Sequence, residues 1–183
     1  QKNREPKLQA FSLLLLEIPR TNDKKELAAE QMFAALHGIL RPYKELWREG
    51  LMQDHISFEI ASIDKRIRFY VWVPASLKAF VEGQIYAQYP AAQIHELADD
   101  YAARELNQPV IYSTDLALTD NETIPIKTFT SFEVDPLASI TATMAKLEEP
   151  GEEMWLQVIA RPVSDDWHKK GSKQIERIKG SGG

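Results

Sequence analysis

The chain reads as an α+β protein: a ferredoxin-like β-α-β-β-α-β unit followed by a second, partial β-β-α-β-α unit. Three observations predict this. A continuous apolar run opens the chain at Phe11 to Ile18. Two strictly alternating stretches flank a two-residue turn at Asp64-Lys65. Two amphipathic stretches at helical spacing sit on either side of that pair.

The opening run is bounded by Pro19 and suits a strand buried on both faces. Thr21-Asn22-Asp23 then offers N-cap oxygens to the free N–H groups of a helix start. From Lys24 to Leu40, Ala28, Met32, Leu36, Ile39 and Leu40 recur at helical spacing, and Arg41-Pro42 ends the pattern. In the ambiguous stretch to Gln53, Tyr43, Leu46 and Trp47 read as a short helical turn packing on the core. In His55 to Ala61, Ile56, Phe58 and Ile60 share one face; in Arg66 to Val73, Ile67, Phe69, Val71 and Val73 do. Alternation around a two-residue turn predicts a β-hairpin with one face toward the core. Pro74 closes it and Ser76 is the expected cap of the next helix, where Leu77, Phe80, Val81, Ile85 and Tyr89 follow the helical rhythm up to Pro90. Gln93 to Leu97 is the fourth strand. Right-handed crossovers then order the sheet 4-1-3-2, which places the most apolar strand in the middle.

After a polar link from Ala98 to Gln108, strands are expected over Val110 to Leu118 and Ile124 to Phe129, with Asp120-Asn121 turning between them. Asp135-Pro136 reads as a helix start, followed by Leu137, Ile140, Met144 and Leu147 on one face. Glu149-Pro150-Gly151-Glu152 breaks it, Met154 to Val163 is a strand, and Ser164-Asp165-Asp166 caps a basic helix from Trp167. The expected units are 1–98 and 109–179, the second packed on the first, with 180–183 a flexible end. The start at Gln1 and the Gly180-Ser181-Gly182-Gly183 end read as a segment of a longer protein.

Composition narrows the function classes. The 44% hydrophobic and 27% charged residues fit a globular chain, and cysteine is absent, which excludes disulfides and thiolate chemistry. The longest apolar run, Leu13 to Leu16, is far below the roughly 20 residues of a membrane helix. The net charge of −5 argues against a dedicated nucleic-acid binder. It is uneven, however: Lys169, Lys170, Lys173, Arg177 and Lys179 face one acid, Glu176, in the last stretch.

No catalytic, cofactor-binding or metal-ligating set emerges, so no enzyme activity or cofactor is expected. Gly171-Ser172-Lys173 lacks the upstream glycine and strand-to-helix setting of a phosphate loop. His37, His55, His95 and His168 are scattered over different elements, and Asp99-Asp100 and Asp165-Asp166 fit a loop and a helix start. The expected interaction surface is Arg66, Arg68, Tyr70 and Trp72 on the hairpin's outer face, together with Lys169, Lys170, Lys173 and Arg177. Basic and aromatic residues on a sheet are how RNA-recognition domains stack bases. Bulky Ile67 and Phe69 depart from that family's strand motif, and the first strand offers Leu13 and Leu15 where an aromatic is needed. The same face suits burial beneath the second half of the chain or a partner.

Four stretches carry a family likeness: Gln84-Ile85-Tyr86-Ala87-Gln88-Tyr89-Pro90, Pro125-Ile126-Lys127-Thr128-Phe129, Asp135-Pro136-Leu137-Ala138-Ser139-Ile140, and Met154 through Val163. Together they resemble the region preceding the motor domain in bacterial type IV secretion and conjugation-type coupling ATPases, especially a set of uncharacterised domains from candidate-phyla bacteria. The resemblance spans roughly Phe11 to Lys179. It implies a non-catalytic, membrane-proximal assembly or docking domain on the cytoplasmic, inner face of the cell membrane. Its implied partners are an ATPase domain in the same polypeptide and further copies of itself. The alternative is a nucleic-acid-binding module using the outer face of the 55–73 hairpin or the basic C-terminal helix. An acidic membrane surface is a third partner that the basic helix would fit, and no small-molecule ligand is evident.

Overall fold

A computed structural model describes residues 10–19, 26–105, 110–121, 123–124 and 126–180. The expected Thr21-Asn22-Asp23 cap, residues 106–108 of the expected link, Pro125 and the last three residues of the tail lie outside these.

The fold is α+β, built on a five-stranded antiparallel sheet in the order β4-β1-β3-β2-β5. The strands are β1 (Phe11–Glu17), β2 (Ile56–Ile63), β3 (Arg66–Pro74), β4 (Gln93–Leu97) and β5 (Met154–Ala160). The helices are α1 (Glu26–Leu36), α2 (Tyr43–Glu49), α3 (Lys78–Gln88), α4 (Ala138–Met144) and α5 (Asp166–Gly180). Strands β1 to β4 stand in the 4-1-3-2 order expected from right-handed crossovers. Strand β1 is covered on both sides, with Leu13 and Leu14 buried on opposite faces.

The two faces carry different cores. On one, Leu14, Ile56, Val71 and Val73 pack with Met32, Leu36 and Ile39 from α1 and its 3-10 extension, and with Val81 and Ile85 of α3. On the other, Leu13, Ala61, Ile63 and Tyr70 meet Tyr101, with Leu15, Trp72, Leu97 and Trp155 at the margin. The hairpin between β2 and β3 turns through Asp64 (φ 51°) and Lys65 (φ 61°). Positive φ at both central positions is the hand of turn that matches strand twist.

Local chemistry departs from expectation at several points. Helix α3 starts through a 3-10 turn at Ala75–Leu77 with no side-chain cap, so Ser76 does not cap it. Helix α4 has Leu137 at its capping position, again without a side-chain cap, where Asp135 was expected. Of Tyr43, Leu46 and Trp47, only Leu46 packs inward; Tyr43 and Trp47 are exposed. Helix α2 ends at Gly50, whose φ of 68° is the left-handed conformation that favours glycine. Gln53 ties the link before β2: its Oε1 accepts from Arg41 N (2.8 Å) and its Nε2 donates to Ile39 O (3.1 Å).

The second half differs most. Val110 to Leu118 forms no strand, and neither do the described residues of the expected 124–129 strand, 124 and 126–129, the last of which opens a 3-10 turn at Phe129–Ser131. Strand propensity needs a paired edge before it becomes a strand, and among the described residues none pairs with these stretches. The expected last strand does form, but it joins the first sheet by pairing with β2. Ser62 Oγ donates to the Met144 carbonyl (3.2 Å), holding the end of α4 against β2. The chain accordingly divides into two compact units, 1–105 with 137–162 and 106–136 with 163–183, rather than at 98 and 109. The return of β5 to the sheet is the reason.

Candidate functional site

The outer face of the hairpin is where the sheet departs most from an ordinary solvated surface. Strand pairing lays its side chains in cross-sheet rows. One runs Leu97, Leu13, Trp72, Ser57 and Ile159; the next runs His95, Leu15, Tyr70, Glu59 and Gln157; a third runs Arg68, Ala61 and Trp155. Residues in such rows have side chains within reach of their neighbours.

Of the four hairpin residues singled out, Arg66 is exposed and Arg68 and Trp72 are half-buried, while Tyr70 is only 4% exposed. Tyr70 thus belongs to the core, which corrects its placement on an open interaction surface. Tyr101 covers it, their ring centroids 4.9 Å apart, and Trp155 meets Tyr101 edge-on at 4.9 Å. Trp72 stacks on Phe11 (3.8 Å) and on His55 (5.2 Å), so other rings lie against it. Neither tyrosine nor tryptophan presents the open stacking face that a nucleobase needs.

The segment after β4 makes this cover. Asp100 Oδ1 accepts from Ala102 N (2.8 Å), an Asx turn that aims Tyr101 back over the sheet. Arg104 pairs with Glu153, just ahead of β5, and Trp155 Nε1 donates to Glu153 Oε2 (3.1 Å). Tyr101 donates its hydroxyl to Glu59 Oε2 at 2.6 Å, and Gln157 stands opposite Glu59 in the same cross-sheet row. Burial, then the neighbouring Glu59 carboxylate, holds the phenol's pKa well above the ordinary range.

Beside this contact lies a shallow pocket of about 180 Å³, lined by His55, Ser57, Glu59, Trp72, Asp100, Ala102, Gln157 and Ile159. Its floor exists because Ser57, a small residue, stands in its row between the large Trp72 and Ile159. Glu59 and Ser57 are 6% and 5% exposed, and among the described residues Ser57 Oγ has no hydrogen-bond partner. Among the described residues no group of three or more His, Asp or Glu is placed to hold a metal ion.

Sequence reading missed Glu59, Ser57, Tyr101 and Gln157. On β2 the first two alternate with the apolar core positions and look solvent-facing. The usable signal was Gln157, a polar residue in the middle of the apolar strand Met154–Ala160.

The basic residues lie in the other unit. Helix α5 carries Lys170, Lys173 and Arg177 at i, i+3 and i+7, so they share a face, with Lys169 beside them. Lys169 Nζ donates to Asp166 Oδ1 (2.6 Å), and Ser164 Oγ donates to Asp166 Oδ2 (3.1 Å). Those bonds, the lysine's first, hold the Asp166 carboxyl below its usual pKa. Trp167, Ile175 and Ile178 of the same helix are 52%, 54% and 64% exposed. Among the described residues, no helix is long and apolar enough to cross a membrane.

A family model described as a domain of unknown function (DUF8128) matches residues 15–181, from within β1 to beyond α5. The chain belongs to that family. The match takes in the whole of the pocket and the whole of α5, so both features lie inside the family's domain. Comparison with curated proteins and with solved structures finds no match.

Proposed function

We propose that the chain is a non-catalytic assembly and docking domain of a membrane-associated secretion or DNA-transfer ATPase, the motor lying in the same polypeptide. The observation that carries this reading is the apolar surface of the 106–136 and 163–183 unit. Helix α5 has no buried residue, and Ile111, Tyr112 and Leu116 are 66%, 93% and 84% exposed. A 15-residue helix is marginal in water, because helices in proteins are stabilised mainly by packing an apolar face. Exposed apolar surface on this scale marks an interaction site. The likeness to the region before coupling-ATPase motors supplies the partner class: the motor domain, and further copies of the chain at the inner face of the membrane.

The test is to replace Trp167, Ile175 and Ile178 together with Glu in the full-length polypeptide. Oligomer size by light scattering and recovery in the membrane fraction should both fall, while the isolated chain stays folded. Unchanged assembly would overturn the docking reading, and ATP turnover by the isolated chain would overturn the non-catalytic one.

A second reading, nucleic-acid binding, is favoured by one observation: the basic stripe of Lys170, Lys173 and Arg177 on α5. It now rests on that helix rather than on the hairpin, where Tyr70 is buried. Binding of single-stranded DNA that weakens steeply with salt, and is lost on replacing those three residues with Gln, would support it.

A further inference from the structure

The Glu59 pocket has an electrostatic imbalance that its own residues do not relieve. Glu59 is buried, and its carboxylate takes a hydrogen bond from the neutral Tyr101 hydroxyl. Among the described residues, no Lys, Arg or His nitrogen lies within ion-pair distance of it. A buried charge without a counter-charge is costly. Asp100 adds a second carboxylate at the rim, and Ser57 Oγ, buried and unpartnered, adds an acceptor at the floor.

We propose that this pocket binds the ammonium or guanidinium head of an organic cation. Three features select that chemistry. The site offers oxygens, from Glu59, Ser57 and Asp100, to a group rich in N–H donors. Its volume of about 180 Å³ is below that of typical small-molecule sites, and suits one charged head with a short stem. The half-buried Trp72 and the Ile159 side chain form apolar walls against which an alkyl stem packs. The Tyr101 hydroxyl, donating to Glu59 Oε2 at 2.6 Å, fixes the carboxylate in orientation before the cation arrives. The proposal stands apart from the docking reading, which concerns the other unit.

The experiment is an NMR titration of the 183-residue chain, following the Trp72 indole N–H and the Ser57 and Glu59 amides. The probes are N-acetyl-arginine amide, N-acetyl-lysine amide and agmatine, with N-acetyl-citrulline amide as the uncharged isostere. Saturable shifts with a cation, and none with the citrulline compound, are expected. Tighter binding of a capped amino acid assigns the site to a partner's side chain; tighter binding of agmatine assigns it to a free amine. Glu59→Gln should weaken binding about tenfold, the loss of one charge-assisted hydrogen bond. Asp100→Asn should weaken it about threefold, as befits a partly screened charge. Because Asp100 lies on a loop and Asn keeps the Asx turn, that variant carries the test should Glu59→Gln fail to fold. Equal shifts with the citrulline compound, no saturable shift with any cation, or unchanged affinity in both variants would overturn the proposal.

Discussion

Replacing Tyr101 with Phe isolates one hydrogen bond on which the outer-face core depends. The ring stays, with its contacts to Tyr70 and Trp155, and only the hydroxyl that donates to Glu59 at 2.6 Å is lost. Hydrogen bonds to charged groups contribute about 1.5–3 kcal/mol, and Glu59 is too buried for water to replace the donor fully. The variant should therefore lose about 1.5–3 kcal/mol in urea unfolding. For a chain of this length that corresponds to a fall in Tm of about 3–12 °C. Glu59→Gln and the double variant complete a cycle, and their coupling should account for most of the loss. Surface changes fall within about 0.5 kcal/mol. A Tyr101→Phe variant inside that margin would refute the claim that the phenol–carboxylate contact organises this face.

Three more outcomes are expected. The Tyr101 phenol is held neutral in the fold above its ordinary pKa of 10.0, so its contribution is complete below that value and is lost progressively as pH rises from there towards the raised folded-state value; unfolding free energy should begin to fall near about pH 10, keep falling above it in the parent, and fall less in Tyr101→Phe. Lys65→Gly should raise stability by about 0.5–1 kcal/mol in chemical denaturation, because it relieves a left-handed φ of 61° by more than the chain entropy glycine adds. Leu14→Ala, at a fully buried position on the helix-covered face, should cost about 2–5 kcal/mol with an unchanged denaturant slope.

Much of the sheet was legible because its signals are local. The alternation of Ile56, Phe58 and Ile60, and of Val71 and Val73, reports one covered face whatever lies elsewhere in the chain. Two crossovers of fixed hand then leave one order for four strands. The second half was misjudged for the complementary reason. Val110 to Leu118 has the composition of a strand, but a strand needs a neighbour to hydrogen-bond with, and composition does not supply one. Met154 to Ala160 found its neighbour in β2, nearly a hundred residues earlier.

The hairpin's outer face shows the same division. Its residue types, Arg66, Arg68, Tyr70 and Trp72, are plain in the sequence, as is the period that puts them together. Whether they face water is not, because that depends on Tyr101 folding back and β5 docking alongside. Those two long-range events bury Tyr70, turn Glu59 from an apparent surface acid into a buried one, and open a pocket beside it. Periodicity determined which side chains share a face; only tertiary packing decided which face is covered, since burial is set by what the rest of the chain brings to the surface.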